Sequence, residues 1–117
     1  MTVVVGRFSI NQDVSQELVD DLLCTAFEGG SMWIDYIRTP VFPEGADYGH
    51  EVISRDGYAT IAADGEHFNL TLPAFIRGIQ LHCENKPTSV VALEEDHDAD
   101  DADCILQYAL FGEVVYG

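Results

Sequence analysis

The stretch "EVISRDGYATIAADGEHFNLTLPAFIRGIQLHC", residues 51–83, decides the fold. It reads as two short β-branched and apolar strands separated by turn signals, followed by a helix. Asp-Gly occurs twice, in "RDGY" and "ADGE", and this dipeptide accepts the left-handed conformations of a tight hairpin turn. Thr71 is placed to cap the helix, and Pro73 falls in its first turn, where a missing N–H is tolerated. Leu72, Phe75, Ile76, Ile79 and Cys83 follow at helical spacing. Gly78 weakens that helix by about 1 kcal/mol relative to alanine, which points to a close packing contact. A hairpin feeding an amphipathic helix belongs to the α+β class.

The flanking segments extend this pattern. "TVVVGRFSI" (2–10) reads as a strand. Asp13 with Gln16 makes a capping box for a helix over 13–28, which Gly29-Gly30 stops. "SMWIDYIR" (31–38) carries large residues on both faces and reads as a central strand. "TPVFPEGADYGHE" (39–51) is a loop and "NKPTS" (85–89) a break, with "VVAL" a short strand or a lead-in. Ala102, Ile105, Leu106, Ala109 and Leu110 describe a helix over 100–111, ended by Gly112, with "EVVYG" a turn or edge strand. The expectation is one α+β domain over 1–117, with about three helices packed on a three- to four-stranded, mainly antiparallel sheet.

Charge bounds the function. Twenty-one Asp and Glu face five Lys and Arg, for a net charge of −16, and the one lysine is Lys86. Such a field repels nucleic acid and anionic membranes and attracts basic surfaces. It also serves solubility, and it matches the composition of a salt-adapted proteome. At 47% apolar residues the chain is too hydrophobic for disorder. No apolar run reaches the roughly 20 residues of a membrane span. No basic region or cleavage site marks a signal peptide, so the expected location is cytoplasmic. Cys24, Cys83 and Cys104 are odd in number and far apart in sequence, and they read as reduced, partly buried thiols.

The most concentrated charge is Glu94, Glu95, Asp96, Asp98, Asp100, Asp101 and Asp103, seven carboxylates within ten residues. An EF-hand fails here, because Asp101 stands where the turn needs glycine and Gln107 where a bidentate Glu is needed. A looser divalent site could draw on Asp96, His97, Asp100 or Asp101. Helix capping accounts for two or three of the seven at about 0.3–1 kcal/mol each. The excess points to solvated loop or to a partner, through imitation of a phosphate backbone. Asp20, Asp21, Glu28, Asp35, Glu44, Asp47, Glu51 and Asp56 would extend such a face. His50, His67, His82 and His97 are scattered, and no HExxH, GxSxG, CxxC or P-loop pattern occurs. The expectation is therefore a protein that is not an enzyme and takes no cofactor.

Two motifs carry a resemblance. "LVDDLLCTAFEGGSMWID" (18–35) resembles the front of small acidic proteins encoded by bacteriophages and prophages, with its A-x-E-G-G turn followed by a tryptophan. "DADCILQYALFGEVVYG" (101–117) resembles their closing segment, with "LTLPAFIRGI" (70–79) between. The resemblance implies a class, that of host-takeover or counter-defence factors such as anti-CRISPR proteins, and assigns no residue a role.

The leading reading is an inhibitory protein that docks an acidic surface on the basic, nucleic-acid-binding surface of a host protein or nucleoprotein complex. It binds neither nucleic acid nor membrane directly, and self-association to a homodimer is left open. The candidate contact residues are Glu94, Glu95, Asp96, Asp98, Asp100, Asp101 and Asp103, followed by Glu44 and Asp47. The second reading is an oligomeric phage accessory or virion-associated protein, with an apolar interface from Trp33, Phe42, Tyr48 or the terminal "VVY". The third is a divalent-metal protein.

Overall fold

The computed structural model describes residues 12–86 and 88–117. The strand expected over 2–10 lies outside the described residues. Three described strands form an antiparallel sheet in the order β1 (Tyr36–Arg38), β2 (Tyr58–Ala63), β3 (Glu66–Thr71). Among the described residues four α-helices accompany them: α1 (Gln16–Thr25), α2 (Leu72–Asn85), α3 (Val90–Glu95) and α4 (Ala99–Phe111). The class is α+β as expected, with one more helix than the sequence suggested.

The β2–β3 hairpin turns at Asp64-Gly65, with φ of 51° and 77°, the paired left-handed conformation this dipeptide favours. Ile37, Ile61 and Phe68 fall in one row across the three strands, on the side that packs against the helices. Thr71 caps α2 by accepting from the Ala74 amide at 3.4 Å. Helix α2 then lies tightly on α4: a Cβ added at Gly78 would meet the Ile105 carbonyl oxygen at 2.5 Å and the Ala109 Cβ at 3.0 Å. The glycine therefore exchanges helix propensity for close approach. Phe75, Ile79, Ala102, Ile105 and Leu106 fill this contact, and Leu18, Val19, Leu22 and Leu23 of α1 complete the core.

Several expectations are corrected. Helix α1 is capped by Ser15, whose hydroxyl accepts from the Leu18 amide at 3.1 Å, and not by Asp13. Capping there leaves Val14 just outside the helix, packed on the core cluster. The 31–38 segment is not a central strand, since only Tyr36–Arg38 pairs and it lies at the edge of the described sheet. Trp33 is half-buried against Phe111 and Tyr116, so its bulk reflects packing outside the sheet.

The "RDGY" dipeptide turns no hairpin. Val52 and Ile53 are fully buried, and two 3-10 turns, Gly49–Glu51 and Ile53–Arg55, coil around them. Asp56 ends the second turn at φ 64°, and Gly57 sits where a Cβ would come within 2.6 Å of Val52 Cγ1. "VVAL" is helical, in α3, capped by Ser89. The terminal "EVVYG" is neither turn nor edge strand. It is held by the side chain of Gln107, which accepts from the amides of Val115 and Tyr116, both at 2.8 Å, and donates to the Tyr116 carbonyl at 3.1 Å. No helix among the described residues is long and apolar enough to cross a membrane.

Candidate functional site

The acidic run divides by role. Asp98 caps α4 in a capping box: its carboxylate accepts from the Asp101 amide at 2.8 Å, and Asp101 accepts in return from the Asp98 amide at 3.2 Å. Asp101 is buried, and its Oδ1 accepts from His82 Nε2 at 2.8 Å and from Lys86 Nζ at 3.1 Å. Burial alone would raise its carboxyl, but the hydrogen bonds from His82, the Asp98 amide and Lys86 outweigh that and hold it at about 2. The chain's one lysine is thereby spent on an internal acid.

Asp103 is also turned inward. Its Oδ1 accepts from Ser31 Oγ at 2.7 Å and from Trp33 Nε1 at 2.6 Å, while its Oδ2 accepts from Gln107 Nε2 at 2.9 Å. Asp101 and Asp103 thus depart from the expected contact set, because both serve the interior. Glu94, Glu95, Asp96, Asp98 and Asp100 are exposed.

The structure adds acids that the run alone did not suggest. Ser15, Glu17, Leu18, Asp21 and Glu94 line a hollow of about 350 Å³, in which Ser15 Oγ donates to Glu94 Oε1 at 3.1 Å. Glu17 and Asp21 stand four residues apart on α1, a like-charge spacing that costs roughly 0.2–0.5 kcal/mol in a helix. No cationic side chain lines this hollow. Nearby, Gln12 Oε1 accepts from the Val90 amide at 2.9 Å and brings the approach to α1 against α3. Asp21 was among the acids expected to extend the face; Glu17 was missed, because only the meeting of α1 with α3 puts it beside Glu94.

Glu44 and Asp47 are exposed on the 39–51 loop. That loop is organised by Glu51, whose Oε1 accepts from the amides of Asp47 at 2.9 Å and Tyr48 at 3.0 Å, and these bonds lower its pKa. The segment is tied to α1 by Asp20, which accepts from Ser54 Oγ at 2.6 Å and pairs with Arg55 at 3.3 Å. Of all the acids, only Asp20, Glu51, Asp101 and Asp103 are not exposed.

Asp96, His97, Asp100 and Asp101 are not gathered into a cation site. His97 Nδ1 lies 2.8 Å from the Leu93 carbonyl, and Asp101 is engaged by His82 and Lys86. Among the described residues the one group of His, Cys and carboxylate donors close enough to share an ion is Cys24, Glu28 and His50. All three cysteines are free, and burial first, then neighbouring carboxylates, pushes each thiol up. Comparison with protein-family models, curated proteins and solved structures finds no match to this chain.

Proposed function

We propose that this protein is an inhibitory binding protein of the phage counter-defence kind, which docks an acidic surface on a basic, nucleic-acid-binding surface of a host complex in the cytoplasm. The observation that carries this reading is the convergence of Glu17 and Asp21 of α1 with Glu94 of α3 around one hollow without a cation, continued by exposed Glu95, Asp96, Asp98 and Asp100. Like charges held together in this way oppose folding, and a basic partner relieves that cost through charge-assisted hydrogen bonds.

The test is capture of a partner from host lysate by the full chain at low and high salt, alongside a Glu94→Lys, Glu95→Lys, Asp96→Lys variant. The expected result is a nucleoprotein complex that is lost at high salt, displaced by added DNA and not captured by the variant. A variant that binds and inhibits like the wild type overturns the reading.

A second reading has its own observation. Val41, Phe42 and Tyr48 are all exposed, at 61%, 45% and 64%, on one loop, as an apolar self-association surface would be. This is the phage accessory role, and sedimentation separates it from the first: a homo-oligomer insensitive to salt favours the loop. Trp33 and Tyr116 do not serve it, since they stack on each other at 5.2 Å.

A further inference from the structure

Cys24, Glu28 and His50 come from two distant parts of the chain, yet one ligand atom of each lies within 4.8 Å of the others. Cys24, near the end of α1, and Glu28, in the kinked turn that follows it, stand four residues apart and continue the spacing of Glu17 and Asp21. Glu28 is set by the widened last turn, in which the Ser31 amide reaches back to the Ala26 carbonyl at 3.0 Å and Gly29 adopts φ 119°. His50 sits in the first 3-10 turn, which packs on α1, and its ring stacks on Tyr48 at 5.7 Å and 4°. The turn is fixed on both sides, by Glu51 accepting from the Asp47 and Tyr48 amides and by Asp20 holding Ser54 and Arg55.

We propose that Cys24, Glu28 and His50 form a site for a borderline transition-metal ion such as Zn²⁺. The donor set is one sulfur, one imidazole nitrogen and one carboxylate oxygen, which suits zinc and not the all-oxygen shells of Ca²⁺ or Mg²⁺. Zinc bonds of about 2.0–2.3 Å place tetrahedral donors roughly 3.3–3.8 Å apart. Closing from 4.8 Å asks for about 1 Å of side-chain movement, and Glu28 is exposed and free to make it. Three protein donors leave the fourth position to water. Asp21, one turn before Cys24 on the same stripe, is exposed and adds a negative charge that draws a cation there. Binding exchanges the thiol proton for the ion, so the sulfur bonds as thiolate.

The experiment titrates the full-length protein with Co²⁺ and then displaces it with Zn²⁺, reading the thiolate-to-cobalt charge-transfer band in the near ultraviolet. An ion held only by surface carboxylates gives no such band. The expected result is a band that is absent in Cys24→Ser and retained in Cys83→Ser and Cys104→Ser. His50→Ala and Glu28→Gln should each weaken binding at least about tenfold, the lower end of what losing even a supporting partner costs. A readout on the unaltered chain accompanies it: Zn²⁺ should slow alkylation of Cys24 and leave Cys83 and Cys104 unchanged. Absence of the band, its persistence in Cys24→Ser, or wild-type affinity in both His50→Ala and Glu28→Gln overturns the site. Circular dichroism confirms that each variant is folded, and Glu28→Gln, at an exposed position, keeps the test open should Cys24→Ser misfold.

Discussion

Trp33 Nε1 donates to Asp103 Oδ1 at 2.6 Å across 70 residues of sequence. The same carboxylate takes Ser31 Oγ and Gln107 Nε2, so it joins the segment after α1 to the middle of α4. Hydrogen bonds to a charged acceptor contribute about 1.5–3 kcal/mol, and their loss strands partly buried donors. Asp103→Ala should therefore cost about 3 kcal/mol, and Asp103→Asn less, since one acceptor oxygen remains. Urea unfolding followed by the fluorescence of Trp33, the single tryptophan, reads this directly. Unchanged midpoints would return Asp103 to the surface set.

Asp101 supplies a pH signature. Its folded value of about 2 lies below the ordinary 3.8, so ionisation favours the folded state. That contribution, about 2 kcal/mol, is fully present above roughly pH 4 and fades as pH falls toward 2. The stability gap between wild type and Asp101→Asn should be widest near pH 6 and should narrow below about pH 3. A gap independent of pH would show that packing, and not charge, distinguishes the two. Lys86→Met removes one of the three favourable contacts and should move the narrowing to higher pH.

Gly78→Ala tests the α2–α4 approach. Helix propensity favours alanine by about 1 kcal/mol. The new methyl would meet the Ile105 carbonyl at 2.5 Å, and overpacking of this kind costs about 1–3 kcal/mol. The net expectation is a loss of up to about 2 kcal/mol in thermal unfolding. A gain would mean that the two helices can separate freely.

The exposed acids should behave in the opposite way. Glu95→Lys and Asp96→Lys touch no hydrogen-bonded side chain among the described residues, so each should change stability by no more than about 0.5 kcal/mol. Because they reduce a net charge of −16, the change at low salt should be toward greater stability and should shrink as salt screens the field. Thermal melts at two ionic strengths distinguish this from a structural role, which would appear as destabilisation at both.

The helices and the hairpin were legible where local chemistry decided them. Asp64-Gly65, the Thr71 cap and the spacing of Ala102, Ile105 and Leu106 each carry their structure within a few residues. The identical Asp-Gly at 56–57 misled because buried Val52 and Ile53, not the turn itself, set the course of the chain there. The candidate surface was legible in part. A count of carboxylates located it, but nothing in the count told Asp100, which is exposed, from Asp101, which is buried beside His82 and paired with the exposed Lys86. Cys24 and Glu28 show a helical spacing in the sequence, yet His50 could be matched to them only once Asp20 had fixed the 3-10 turns on α1.

The clasp at Gln107 has a practical consequence for anyone handling the protein. Its amide is fully enclosed and spends three of its contacts on the backbone of Val115 and Tyr116. Trimming by a carboxypeptidase to residue 113 would leave that amide without those partners and uncover the ring face of Trp33. A loss of four residues in mass should therefore coincide with a change in tryptophan emission, which makes the spectrum a gauge of whether a preparation is intact.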